Sequence, residues 1–254
     1  MKKSFSFLLG VGLIFSVLRT DSQAEETPMG PGPHAFRVFG DRTYAGIYFS
    51  SPGEMPEELK FYSTFRSPEY HLWESNIVTF YTLPDDFSEE AYALRQEEDG
   101  PLPYPPEAEV LYQVDITENW ELPLFIFLSQ SGSQTPSVLG IEDSPDTFSW
   151  GEVMLFNGTE MILEGEFLNR RSRRIDFGLH GPYQINRRAS VQLTTQRAGS
   201  TRTVFDGSLT VAADERLIFF LLPPLRPGSP EAQYRLVRDR KPQEPEKDKE
   251  EEQE

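Results

Sequence analysis

Along most of the chain, apolar and polar residues alternate with a period of two over short runs, and the apolar positions are rich in β-branched and aromatic side chains. In ASVQLTTQ (189–196), Val191 and Leu193 fall on one side and Ser190, Gln192 and Thr194 on the other. In RIDFGLHG (174–181), Ile175, Phe177 and Leu179 share a face against Asp176 and His180. EVLYQVDI (109–116) predicts an inward set of Val110, Tyr112, Val114 and Ile116. Helical spacing is confined to DDFSEEAYALRQ (85–96), where Phe87, Ala91 and Leu94 can line one side of a short helix. These patterns predict an all-β protein.

Two runs break the alternation by being apolar throughout: LFIFL (124–128) and LIFFL (217–221), 93 residues apart. A strand with no polar face is expected to be central, with core on one side and a neighbouring layer on the other. Each is followed by a turn and a further strand, SVLGIEDS (137–144) and QYRLVRDR (233–240), which are offset by 96. Upstream, LKFYSTF (59–65) precedes VMLFNGT (153–159) by about 95. The recurring offset predicts a duplicated unit of about seven strands, hence two tandem immunoglobulin-like β-sandwiches over 36–144 and 145–240. PDTFSW (145–150) is the expected joint, with Phe148 and Trp150 wedged between the halves.

The ends read differently. Lys2 and Lys3, the apolar run 4–18 and the small residues Ser22 and Ala24 have the form of a secretory signal peptide over 1–24. The run is shorter than the ~20 residues of a membrane span, so no transmembrane segment is expected after cleavage. A periplasmic or extracellular location follows, and with no Cys the chain must rely on burial rather than disulfides. EETPMGPGPHA (25–35) reads as a flexible leader and 241–254 as a disordered acidic tail.

Charge then narrows the chemistry. Residues 25–140 hold 20 Asp and Glu against 5 Lys and Arg, whereas 141–240 hold 13 against 13, every cation there being Arg. The acidic half would repel phosphates, so nucleic acid is not an expected partner. Nucleophilic catalysis lacks its usual parts: there is no thiol, no G-x-S-x-G and no S-x-x-K, and His34, His71 and His180 are scattered. A glycosidase needs two facing carboxyl groups at a set separation, which spacing along the chain does not reveal. No catalytic residue, cofactor or metal is therefore assigned. Glu142, Asp143 and Asp146 lack the alternation of a calcium loop, and Asn157-Gly158-Thr159, although a glycosylation sequon, reads as a tight turn.

Two surfaces stand out as candidates. Tyr70, Trp73 and Trp120 lie in loop-like, acidic contexts and offer flat faces of the kind sugar rings stack on. Arg170, Arg171, Arg173 and Arg174, with Arg187 and Arg188 across an expected hairpin, form a cluster that can grip an anion or rest against the acidic first half.

Ser144-Pro145-Asp146-Thr147-Phe148, followed by Gly151 and VMLFNGT and later by RLIFFLLPP, resembles an uncharacterised group of secreted β-rich proteins of Verrucomicrobia-like bacteria. The resemblance covers mainly the second half and implies no activity. The sequence thus leads to a non-enzymatic secreted or periplasmic structural or interaction protein, its partner an unidentified protein or cell-envelope polymer. The alternative is a carbohydrate-binding module using the aromatics of the first half.

Overall fold

The computed structural model describes residues 34–242 except 117–119, 130–132, 134, 160, 169, 186, 198, 225, 227–228 and 230. The expected signal peptide, most of the leader and nearly all of the tail lie outside the described residues. The leader's last positions do not: His34 already opens the first strand.

Sixteen strands and one helix are assigned among the described residues. The first eight strands are β1 (His34–Gly40), β2 (Tyr48–Phe49), β3 (Glu57–Glu58), β4 (Tyr70–Leu72), β5 (Ile77–Thr82), β6 (Glu109–Asp115), β7 (Pro123–Leu128) and β8 (Ser137–Glu142), with helix α1 (Glu89–Asp99) between β5 and β6. The second eight are β9 (Glu152–Asn157), β10 (Leu163–Phe167), β11 (Arg170–Ile175), β12 (Gly178–Gln184), β13 (Arg188–Arg197), β14 (Ser200–Thr210), β15 (Glu215–Leu222) and β16 (Gln233–Arg240).

The four sheets repeat one plan. Orders β4-β1-β7-β8 and β3-β2-β5-β6 in the first half recur as β12-β9-β15-β16 and β11-β10-β13-β14 in the second, so each strand corresponds to the one eight places later. In both halves the opening strand runs parallel to the seventh, β1 with β7 and β9 with β15, and the remaining pairings are antiparallel. Each half is therefore a sandwich of two four-stranded sheets rather than the seven strands expected.

Three apolar layers hold the four sheets together. Phe36, Val38, Phe49, Phe80, Phe125 and Phe127 belong to the core of the first sandwich. Val153, Leu155, Val191, Leu193, Leu217 and Phe219 belong to that of the second. Between the sandwiches, Phe39, Leu124, Ile126 and Ile141 meet Met154, Phe156, Ile218, Phe220 and Val237. The rings of Phe39 and Phe220 stack there with centroids 4.5 Å apart. Every residue of β7 is buried and nearly every residue of β15, because these strands face a core on both sides. A fully buried Phe side chain contributes about 1.5–3 kcal/mol, so this middle layer is a major term in stability. It also explains why the two sandwiches belong to one compact unit.

The pairing register revises the repeat. Leu124 pairs with Ile141 and Ile218 with Val237, and all four point into the middle layer. Leu124 therefore matches Ile218, not Leu217: aligning LFIFL with LIFFL letter by letter slips by one residue and turns every side chain to the wrong face. The strand equivalent to VMLFNGT is β1, since Val38 and Leu155 both enter sandwich cores while Phe39 and Phe156 both enter the middle layer. LKFYSTF is largely loop around Leu59 and Phe61.

Three local expectations also shift. RIDFGLHG is not one strand: β11 ends at Ile175 and β12 starts at Gly178 in a different sheet, leaving Phe177 exposed. In β6 a register irregularity between Phe80 and Tyr81 moves Val110 outward. Helix α1 starts at Glu89, four residues inside the expected span, where the Ser88 side chain caps the Ala91 N–H, and it is anchored by Tyr92 rather than by Leu94, which is exposed.

Candidate functional site

The middle layer ends in charge. Continuing two residues along each strand from Phe39, Ile141, Ile218 and Val237 leads to Arg37, Asp143, Arg216 and Asp239, all on the same inward side. Asp143 and Asp239 occupy matching positions in the two copies, following Ile141 and Val237 by the same step. Arg66, from the loop before β4, completes the group.

Its geometry is closely interlocked. Arg66 grips Asp143 with two prongs: Nε donates to Oδ2 and Nη2 to Oδ1 at 2.8 Å. Arg216 donates from Nη1 to the carbonyls of Asp143 at 2.6 Å and Phe148 at 3.2 Å, and from Nε and Nη2 to Asp239 Oδ2 at 3.0 and 2.7 Å. Arg37 donates to the same Oδ2 at 3.2 Å and to Glu69. Asp143 is completely buried, and the side chains of Arg66 and Arg216 are 4% and 1% exposed. The guanidinium of Arg216 also lies over two aromatic rings, 5.5 Å from Phe148 and 5.0 Å from Trp150. Phe148 is wholly buried in the middle layer, and Trp150 is half-buried beside it.

Burial raises the pKa of Asp239, but Arg66, Arg216 and Arg37 outweigh it and hold the carboxyl below its ordinary value. At Glu215, the hydrogen bond from Arg240 acts against burial and likewise keeps the group low. A general acid at neutral pH needs the opposite shift. These carboxylates are built to stay ionised and paired.

A cleft of about 310 Å³ opens onto the network, lined by Arg37, Phe65, Arg66, Glu69, Arg238 and Asp239 among others. Arg66, one of its lining residues, has a buried Nη1 without a hydrogen-bond partner among the described residues.

The residues singled out from sequence go elsewhere. Tyr70 is a core residue stacked on Phe36, its hydroxyl accepting from the Lys60 N–H and its pKa raised by burial, so no sugar can reach its face. Trp120 lies over Phe125 and Gly140, where a Cβ in place of the Gly140 hydrogen would come within 2.1 Å of the indole. Trp73 is 48% exposed beside His71. The three do not form one stacking face.

The arginines also separate. β10 lies between β11 and β13 in their sheet, so the expected hairpin that would set Arg187 and Arg188 across from Arg170–Arg174 does not form. Arg174 pairs with Asp176, Arg173 lies over Tyr183, and Arg188 donates to Ser208 Oγ. Arg187 is exposed with a positive φ of 67°, and Arg170 and Arg171 lie on β11 at the outer edge of the sheet farthest from the first sandwich. Glu164, Glu166 and Asp206 share that sheet and offset part of its positive charge. Among the described residues, the ion pairs that do join the halves are Arg37 with Asp239 and Arg216 with Asp143.

In the acidic joint, Glu142 accepts from the N–H groups of Glu121, Leu122 and Ser144, and Asp143 faces arginine. Among the described residues no group of three His, Cys, Asp or Glu can hold a metal ion. The sequon asparagine is an internal clamp: Asn157 is fully buried, its Nδ2 donating to the carbonyls of Met161, Ile175 and Asp176. Its Oδ1 accepts from the N–H and hydroxyl of Thr159.

Sequence reasoning missed Arg37, Arg66, Arg216 and Asp239. Two signals pointed to them: the first half has few cations, and Arg216 stands directly before the apolar run of β15. No described helix is long and apolar enough to cross a membrane. No family model matches the chain, and no curated protein matches it.

Proposed function

We propose that the protein is an exported, non-enzymatic structural or interaction module whose two sandwiches, of the immunoglobulin-like kind expected from sequence, act as one rigid block. One observation carries this reading: among the described residues, the charged groups buried between the sandwiches form an arginine and carboxylate lattice set in a continuous apolar layer. Such a lattice fixes one relative placement of the halves, because any slip would strand a buried charge. The depressed Asp239 and Glu215 carboxyls are suited to holding position and unsuited to proton transfer. Export rests on the form of residues 1–24.

The test has two parts. Expression of the full chain in a bacterial host, followed by fractionation and N-terminal sequencing, should recover protein beginning at Glu25 in the periplasm or medium; a cytoplasmic, uncut chain counts against export. Small-angle scattering and unfolding monitored at both sandwiches should give one rigid particle and one shared transition. Separate transitions for the two halves would remove the rigid-block reading.

A further inference from the structure

We propose that the cleft over the ion network binds a neutral, polyhydroxylated ligand, a single saccharide unit. The first reason is the unmatched Arg66 Nη1, inside a side chain that is 4% exposed while its Nε and Nη2 are committed to Asp143. Buried donors without a partner are rare in native proteins, and an oxygen acceptor from outside the chain satisfies this one.

Charge selects the kind of oxygen. Arg37, Arg66, Arg216 and Arg238 are matched by Glu69, Asp143, Asp239 and Glu215. An incoming carboxylate or phosphate would meet Glu69 and Asp239, and a cation would meet Arg37 and Arg238. A hydroxyl disturbs neither balance. It can accept from a guanidinium and donate to a carboxylate at once, and the lining supplies both kinds of group side by side.

The rim adds an apolar surface. Phe65 is 50% exposed, held against Tyr62 with ring centroids 4.4 Å apart. It presents a flat face on which the C–H side of a sugar ring can rest. At about 310 Å³ the cleft is at the small end of ligand sites, which suits one sugar unit. This site is separate from Trp73 and Trp120, and it does not depend on the rigid-block reading, which would survive its failure.

The test is a two-dimensional NMR titration of the isotope-labelled full chain with glucose, mannose, galactose and N-acetylglucosamine. Sodium acetate and sodium phosphate serve as charged probes. At least one sugar should shift the amides of Phe65, Ser67 and Glu69 and the Arg66 side-chain N–H, while the anions leave them in place. Phe65→Ala removes an exposed ring and should weaken binding about five- to tenfold; Glu69→Gln should weaken it too, and Trp73→Ala should not. The proposal is overturned if none of the four sugars moves these signals, if acetate or phosphate moves them at lower concentration, or if the shifts gather at Trp73 instead.

Discussion

The two sandwiches share one strand order and solve the problem of filling it differently. In the second, long strands such as β13 and β14 carry an aliphatic core of Val153, Leu155, Leu163, Val191, Leu193, Leu209 and Leu217. In the first, the counterparts of β10, β11 and β12 shrink to two or three residues at β2, β3 and β4, and rings replace them. Phe36, Phe49, Phe61, Tyr44 and Tyr70 fill that core, several contributed by loops, in edge and stacked contacts around Phe36. Where β13 and β14 turn tightly between Arg197 and Ser200, β5 and β6 are separated by α1. Large aromatic volumes thus compensate for poor strand regularity, and a fixed topology tolerates either solution.

The comparison can be tested first where the halves meet. Asp143→Asn leaves the Arg66 guanidinium buried without its anion and should cost about 3–5 kcal/mol, read as a lower denaturant midpoint in both halves together. Replacing Arg66, Asp143 and Arg216 together with Met, Leu and Met should restore much of that loss, because a buried ion network can be exchanged for apolar packing of similar volume. A triple variant no better than Asp143→Asn would mean that the lattice supplies net stability.

Next come the side-chain clamps near the ends of β9 and β1. Asn157→Ala strips three carbonyls of their donor and should cost about 1–3 kcal/mol. Asp41→Ala loses only partly buried contacts to Tyr44 and Ser129 and should cost about 1 kcal/mol. Calorimetry that ranks them the other way would contradict the picture of the second sandwich as the one closed by its turns.

A smaller effect is expected with pH. The folded-state pKa of Asp239 is depressed, so its contribution is intact above about pH 4 and is lost as pH falls through the lowered value. The acid side of the melting-temperature profile should flatten in Asp239→Asn. Least of all, Arg174→Ala on the outer sheet should change stability by under about 0.5 kcal/mol, since its pair with Asp176 is exposed.

Much of the fold was legible because β7 and β15 have no polar face, a pattern that only a strand buried on both sides requires. The alternation in β13 likewise gave Val191 and Leu193 correctly. Register was not legible: five apolar letters match equally well in either parity, and only the pairing of Leu124 with Ile141 settles the face. The sheet switch at Asp176–Phe177 escaped for a similar reason, since alternation runs through a corner unbroken. The ion network escaped because Arg66 and Asp143 are 77 residues apart and each looks like an ordinary loop charge. The aromatics misled because in the first sandwich rings from loops do the work of missing strands, so a loop-like context did not mean exposure.

The parallel pairing of the first strand with the seventh bears on how the chain is made. During synthesis Arg37 and Phe39 emerge long before Leu124 and Ile126, and the second sandwich repeats the delay between Met154 and Ile218. Neither unit can close until its penultimate strand is free, and such non-local closure is slow and leaves greasy edges uncovered meanwhile. A nascent chain of this design has a long window in which a holding chaperone can keep it open.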